Sequence, residues 1–387
     1  MIAFLARLVL RNCWRHPLRT GLTVLGIVVA ITAFGLLRTT VNAWYAGAEA
    51  SSASRLITRN KNSLMFSLPL HYRDKIARIA GVASVSYADW FGGIYIDRKN
   101  FFPQFAIEPR TYFALYPEFM LEPAQMKAFL LDRGGAVVGR KTAEKYGWKV
   151  GDQVPLIGTI FPGTWTFVVR GIYRGASPKV DQSQFFFHWE NLNESLKRVM
   201  PDQANDVGIF LIGLERAEDA PAVSREVDAL FANSRAETLT ETEKAFQLSF
   251  VAMTEAILIV IEVVSFLIIL IIMAVMANTM AMTARERRRE YATLKALGFD
   301  NRHVIALIAG ESLVIALAAG ALGVWLLFAA ADWVAHRFST IFPIFVVADS
   351  TLYASAGMAF AVGAVAALVP AWRAAQLDVA AGFRAVG

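Results

Sequence analysis

The chain has 387 residues, of which 56% are apolar, and its mean hydropathy is +0.44. This composition is too apolar for a soluble enzyme, whose surface must be wetted by water. A net charge of +6 would suggest nucleic-acid binding in a soluble protein, but here the basic residues flank apolar stretches. We therefore expect a membrane protein surrounded by lipid, without a nucleic-acid partner.

Four stretches with few or no charges are long enough to cross a hydrocarbon core of about 30 Å. They lie at residues 19–38, 263–283, 303–331 and 351–369. Residues 39–250 have an ordinary mixed composition and predict a separate α+β domain, with a helical stalk near 240–262 that leads into the second span. The predicted fold is an α-helical membrane protein with four transmembrane helices and an α+β extracytoplasmic domain inserted between the first two.

The distribution of basic residues predicts which side of the membrane each segment occupies. Arginines without any acid precede the first span, and the loop at 284–302 is also strongly basic. Because cytoplasmic segments carry the excess of Lys and Arg, we expect both termini, this loop and the tail at 370–387 to be cytoplasmic. The inserted domain and the short loop at 332–350 would then lie outside. A cleaved signal peptide is a weaker interpretation of the first span.

Residues 1–18 predict an amphipathic helix on the inner membrane surface. Arg7, Arg11 and Arg15 recur every four residues, while Leu5 and Leu8 occupy another face. The alternative is a basic flank that only fixes the topology.

The inserted domain predicts alternating strands and helices but offers little chemistry. Predicted strands are 82–87, 93–97, 102–107, 136–138, 153–157, 164–173, 184–187 and 207–214, and predicted helices are 70–79, 123–131, 141–146, 191–199 and 220–231. His71 and His188 have no neighbouring ligand at metal-binding spacing, so we expect no metal site. We interpret the aromatic residues Phe161, Phe185–Phe187 and Trp189 as core, although a face for a hydrophobic substrate is the alternative.

The loop at 284–302 predicts a helix of about twelve residues that ends at Gly298, placed as a left-handed cap. Tyr291, Leu294 and Leu297 fall three apart and predict an apolar ridge, which suits a groove in a partner protein. A basic loop that touches lipid headgroups is the alternative. The candidate docking residues are Arg287, Glu290, Tyr291, Leu294, Lys295, Leu297 and Gly298.

Small residues four apart in the spans predict close packing between helices. The candidates are Gly26, Ala30, Ala319, Gly323, Ala359 and Gly363.

Several segments resemble the MacB/FtsX-like permeases of ABC transporters. Residues 286–298 read Glu-Arg-Arg-Arg-Glu-Tyr-Ala-Thr-Leu-Lys-Ala-Leu-Gly, which is similar to the loop of that family. The Gly310-Glu311-Ser312 segment, the closing Pro370-Ala-Trp-Arg-Ala-Ala-Gln-Leu-Asp378 and the segments 136–152 and 168–172 are also similar. Val379 departs from the family pattern, in which a proline is usual there.

The resemblance implies a bacterial inner-membrane permease of the mechanotransmission (type VII) class. Its loop helix would dock on a separate ATPase subunit that binds ATP and Mg, and it would pair with a second permease, either a copy or a paralogue. A periplasmic adaptor or lipoprotein would be a further partner. The sequence contains no phosphate-binding loop, so we expect no enzyme activity and no cofactor in this chain.

Two functions remain open at this point. The first is ATP-driven export or extraction of a lipid, lipoprotein, drug or peptide, and the second is non-transporting regulation of a periplasmic or cell-wall enzyme. An ion-coupled secondary transporter is less well supported, because the four spans carry no charge at the predicted midplane.

Overall fold

The computed structural model describes residues 7–9, 11–12, 15–338 and 342–376. The helices are α1 Pro17–Ala50, α2 Tyr72–Ile76, α3 Pro109–Leu115, α4 Pro123–Leu131, α5 Arg140–Tyr146, α6 Trp189–Val199, α7 Ala220–Leu230, α8 Glu243–Ala252, α9 Glu255–Glu286, α10 Arg288–Ala296, α11 Asn301–Arg337 and α12 Asp349–Ala375. The strands are β1 Arg55–Asn60, β2 Leu68–Pro69, β3 Val82–Trp90, β4 Gln104–Ile107, β5 Phe119–Met120, β6 Gly135–Gly139, β7 Gln153–Gly158, β8 Gly163–Gly175, β9 Phe185–His188, β10 Asp206–Val207, β11 Ile209–Leu214 and β12 Thr238–Thr242.

The described residues form two compact units. The helical unit contains those within 1–43, 255–337 and 345–376, and the second unit, the inserted domain, contains 44–254 together with 338 and 342–344. Four helices, α1, α9, α11 and α12, are long and apolar enough to cross a membrane. The predicted fold, four such helices with an α/β domain between the first two, is confirmed.

The long helices extend beyond the predicted spans. The first continues to Ala50, and its residues from Trp44 onward belong to the inserted domain. The chain from 240 to 262 is not one continuous stalk, because β12 ends at Thr242 and a turn at Met253 and Thr254 separates α8 from α9. The Thr242 side chain caps α8 by accepting a hydrogen bond from the Ala245 amide. Where the bilayer begins on each helix stays a prediction.

Small residues lie where the long helices approach one another. A Cβ placed on Gly320 would lie 2.5 Å from the Cβ of Ala359, and one on Gly363 would lie 2.9 Å from the Cβ of Ala316. Gly323 lies against Ile31, and the Thr32 hydroxyl donates to the Gly323 carbonyl at 3.0 Å. Such contacts let helix backbones approach closely, which supplies packing energy in lipid.

The remaining predicted packing residues are also enclosed. Gly26 lies against Ile272 of α9, with 3.1 Å from an added Cβ to Cδ1. Ala30, Ala319 and Ala359 are all buried in the same apolar cluster of the helical unit.

The inserted domain is built on a mixed sheet of ten strands. Their order is β12-β1-β11-β3-β4-β9-β6-β8-β5, with β7 paired to β8. Phe185 and Phe187 pack on one face and Phe186 on the other, and all three side chains are fully buried. Phe161 and Trp189 are buried as well. The interpretation of the aromatic residues as core is therefore confirmed.

Sequence reasoning missed strands β1 and β12, at one side of this sheet, and its prediction of a strand at 93–97 was wrong. Residues 93–97 form only an isolated bridge between Ile94 and Ile157, and Ile96 adopts a φ of +60°, which is incompatible with a strand. The missed strands β1 and β12 are rich in polar residues, so they lack apolar alternation. Their polar groups are paired across the strands, for example Thr58 with Thr240 at 2.9 Å. Helix α3 was also missed.

We predict that Gly320→Ala destabilises the helical unit by about 1–3 kcal/mol, because the added methyl overlaps Ala359 and forces α11 and α12 apart. Gly357→Ala is the matched control, since a Cβ at Gly357 meets nothing within 4 Å and alanine is the better helix former. The melting temperature of the purified chain in detergent measures both. A loss equal in the two variants would contradict the packing argument.

Candidate functional site

A buried ion pair fixes the turn between α9 and α10. Arg287 occupies this turn, and its Nη1 donates to Oε2 of Glu311, in α11, at 2.8 Å. Its Nε donates to Oε2 of Glu290 at 3.0 Å. Arg287 and Glu311 are only 8% and 6% exposed. A charge buried to this extent is tolerated only with its partner in place, so the pair ties the start of α10 to the middle of the helical unit.

Residues at the beginning of the chain join the same cluster. Arg15 is hydrogen-bonded to Glu290, and Arg19 makes a two-pronged contact with Glu286 at 2.7 and 2.8 Å. Paired guanidinium and carboxylate groups of this geometry are among the stronger ion pairs. Each acid of the Glu286–Glu290 segment thus has a basic partner from a different part of the chain.

The electrostatics favour the charged forms of Glu290 and Arg287. Burial opposes ionisation of Glu290, but hydrogen bonds from Arg15 and Arg287 outweigh it and hold its pKa below the ordinary value. Burial likewise opposes the charge of Arg287, yet Tyr291, Glu311 and Glu290 raise its pKa overall. Burial raises the pKa of Tyr291 to about 12. Because the pKa of Glu290 is lower in the folded state, its contribution to stability is present at neutral pH and is lost as the pH falls through that value.

The predicted apolar ridge on α10 needs correction. Tyr291 is only 3% exposed and packs in a cluster with Val304 and Ile308 of α11 and Ala371 and Ala374 of α12. Leu294 is partly buried against the same cluster. Among the three predicted ridge residues only Leu297, 72% exposed, faces outward.

The outward face of α10 combines Leu297 with residues that lie outside the predicted ridge. The helix has nine residues, and the exposed positions on and after it include Arg289, Thr293, Ala296 and Leu297. Thr293 lies four residues after Arg289, and Ala296 and Leu297 lie three and four residues after Thr293, so these positions share one side of the helix. We call this set the outer face of α10.

The end of α10 closes as predicted at Gly298, which has a φ of +90°. Its amide donates to the Lys295 carbonyl at 3.0 Å, and the Phe299 amide donates to the Leu294 carbonyl at 3.1 Å. This is the Schellman pattern, in which a left-handed residue satisfies the last carbonyls of a helix. The Lys295 Nζ donates to the Ala375 carbonyl at 2.8 Å, which links α10 to the end of α12.

Sequence reasoning placed Arg287, Glu290 and Lys295 near the docking surface, whereas the structure uses them to hold α10 in place. It missed Glu311 as the partner of Arg287, Arg15 as a partner of Glu290, and Arg19 as the partner of the neighbouring Glu286. One signal was available, because an acid within an apolar helix needs an internal partner. Whether the predicted residues contact an ATPase stays a prediction.

Metal ligation has little support in the described part of the chain, which contains no group of three or more His, Cys, Asp or Glu side chains able to hold an ion. The His188 Nε2 lies 2.7 Å from the Phe129 carbonyl, and burial lowers the pKa of this histidine. The His71 ring makes an edge contact with Tyr72.

We predict that Arg287→Ala lowers the free energy of unfolding by about 3–5 kcal/mol, because it leaves Glu311 buried without its cation. Arg289→Ala, an exposed arginine two residues further on, is the control and should change stability little. The double variant Arg287→Met with Glu311→Gln should recover most of the loss. Melting temperatures in detergent provide the measurement, and equal shifts for the two arginines would contradict the structural role of the pair.

Comparisons with known proteins agree with these features. The family model of the MacB-like periplasmic core domain matches residues 20–230, and that of the FtsX-like permease C-terminal matches residues 262–379. An uncharacterized ABC transporter permease protein of Mycobacterium tuberculosis is 26% identical over 208 residues. The aligned region is 52% of this chain but only 23% of that protein.

Two solved structures are also similar to the inserted domain. The extracellular domain of the noncanonic ABC-type transporter YknZ from Gram-positive bacteria is 14% identical, with a TM-score of 0.35, and the match covers 49% of this chain and 100% of that one. The periplasmic region of MacB from Actinobacillus actinomycetemcomitans is 8% identical, with a TM-score of 0.36 and coverage of 52% and 94%. Because the periplasmic core domain model alone matches more than half of the residues, the chain belongs to the MacB/FtsX type of ABC transporter permeases.

Proposed function

We propose that this permease couples ATP hydrolysis by a separate ATPase subunit to motion of its inserted domain, and that the motion drives export or extraction of a lipid, lipoprotein, drug or peptide. ATP and Mg would bind to the partner ATPase. The observation that carries the proposal is the combination of an exposed outer face and a buried anchor on the same short helix, α10.

The outer face of α10 suits contact with a partner protein. Leu297 is an exposed apolar side chain at the end of the helix, and Arg288 and Arg289 lie exposed at its beginning. Protein interfaces commonly have an apolar centre surrounded by a polar or charged rim, and Leu297 with its neighbouring arginines has this composition. A groove of complementary shape and charge on an ATPase subunit would bury Leu297.

The anchor of α10 supports transmission of force rather than simple attachment. Arg287 joins it to α11 through Glu311, Glu290 joins it to Arg15, and Lys295 joins it to the end of α12. A displacement of α10 by a partner would therefore transmit force to α11, to the segment at Arg15 and to the end of α12. Rigid elements linked by polar contacts, of which the one between Arg287 and Glu311 is buried, are suited to such coupling.

The basic residues around α10 support a cytoplasmic position for this helix and for both termini. Arg285, Arg288, Arg289 and Arg302 give the segment an excess of positive charge. The proposed location is the bacterial inner membrane, with the inserted domain on the outer side.

The long helix α9 is less enclosed by the rest of the chain than α1, α11 and α12 are. We propose that its exposed side contacts a second permease, either a copy or a paralogue.

We predict that Leu297→Asp lowers the amount of ATPase subunit that co-purifies with the chain from membranes of its native host by at least about tenfold, because a buried carboxylate without a partner costs more than 1.4 kcal/mol. Leu131→Asp, at an equally exposed leucine of the inserted domain, is the control. Leu294 is unsuitable for this test because its substitution would disturb the packing of α10.

ATP turnover in the eluate provides a second readout of the same complex. Recovery of ATPase at the parental level with Leu297→Asp would show that α10 is not the docking element. Failure of the unaltered chain to bring down any ATPase would contradict the coupling proposal itself.

A further inference from the structure

The inserted domain contains a cavity of about 530 Å³ that the proposed coupling does not use. Its floor is one face of the sheet, with Ile57 of β1 and Leu211 of β11. Tyr112 and Tyr116 of the α3 region form one wall, and Phe246 of α8 forms another. A volume of this size, lined mainly by apolar and aromatic side chains, is typical of sites for small organic molecules.

The charges in the wall of this cavity do not balance. The Arg55 guanidinium lies between two carboxylates, 2.6 Å from Oε1 of Glu118 and 2.7 Å from Oε2 of Glu243. Lys179 and Asp181, at the rim, cancel each other. One negative charge is therefore left in excess on a concave and largely apolar surface.

The two carboxylates differ in their access to the cavity. Glu243 is held by Arg55, by the Tyr116 hydroxyl at 3.0 Å and by the Ser52 amide at 3.0 Å, and its side chain is 8% exposed. The Glu118 side chain is 25% exposed, and among the described residues its recorded ion-pair partner is Arg55 alone. Glu118 is thus the carboxylate that an incoming ligand can reach.

Aromatic rings line the same cavity. Tyr116 stacks on Phe119 with ring centroids 5.4 Å apart, and on Tyr112 with centroids 4.8 Å apart. The faces of such rings carry partial negative charge and attract organic cations, most strongly where water is excluded. The Arg55 guanidinium already occupies such a position, 4.2 Å from the centroid of the Tyr116 ring, so the excess carboxylate is the group that selects the sign of the ligand charge.

We propose that this cavity binds a cationic amphiphile, an organic molecule with an apolar body and one ammonium or other fixed positive charge. The apolar body would lie on the sheet face near Ile57 and Leu211, and the cation would lie near Glu118. An anionic ligand would instead meet an uncompensated carboxylate. The inference that such a molecule is the transported substrate rests on the proposed function. The inference that the cavity binds it does not.

The test uses the full chain in lipid nanodiscs and two probes with the same four phenyl rings and opposite charge, tetraphenylphosphonium and tetraphenylborate. Equilibrium dialysis measures binding, and empty nanodiscs are subtracted. We expect saturable binding of tetraphenylphosphonium, with tetraphenylborate at least about tenfold weaker. Equal or tighter binding of tetraphenylborate would overturn the proposal.

Two substitutions should move the affinity for tetraphenylphosphonium in opposite directions. Lys179→Glu changes an exposed rim residue and should strengthen binding by about threefold to tenfold, whereas Glu118→Gln removes the excess charge and should weaken it by about tenfold. Lys127→Glu, an exposed lysine of α4 outside the cavity, is the matched control. If Lys179→Glu and Lys127→Glu change the affinity for tetraphenylphosphonium equally, the proposal that the cavity selects its ligand by charge is wrong. This conclusion holds even if Glu118→Gln fails to fold.

The outcome is independent of the ATPase. Dialysis requires no nucleotide and no partner, so absence of probe binding would overturn the cavity proposal and leave the coupling proposal standing. Loss of the ATPase in Leu297→Asp would leave probe binding unchanged.

Discussion

The buried ion pair between Arg287 and Glu311 constrains how the helices of the helical unit pack. Two charges with almost no exposure are tolerated only when each faces the other and the remaining donors and acceptors are used. Arg287 follows the last residue of α9, and Glu311 lies within α11. The relative position of these helices is thereby fixed at one point, and the direction in which α10 leaves that point is fixed with it.

This constraint explains why an acid stands at each end of the three arginines between Glu286 and Glu290. Glu286 binds Arg19, Arg287 binds Glu311, and Glu290 binds both Arg287 and Arg15. A segment that only marked the cytoplasmic side would need arginines but no acids at these spacings. The acids give Arg15, Arg19 and Arg287 defined partners, so the segment connects parts of the helical unit as well as acting as a topological signal.

The parts of the fold that depend on local properties could be predicted from the sequence, and the parts that depend on distant partners could not. Apolar length is local, so the four long helices were found, and the φ preference of Gly298 identified the end of α10. Which side of α10 faces outward depends on Ala371 and Ala374, some eighty residues away, so the burial of Tyr291 was missed. Strands β1 and β12 were missed because their polar side chains are satisfied by each other rather than by apolar burial.

Two clusters among the described residues, around Arg287 and around Arg55, each combine an arginine with two carboxylates but differ in net charge. Arg287 holds Glu290 and Glu311, and Arg15 supplies a second cation to Glu290, so the cluster is neutral. Arg55 holds Glu118 and Glu243, yet the described residues place no second cation in contact with either acid. A second cation beside Glu118 or Glu243 would stabilise the cluster around Arg55 further. The missing charge at Arg55 is therefore better explained by a ligand that supplies it, which is why the cavity beside Glu118 is assigned a cationic occupant.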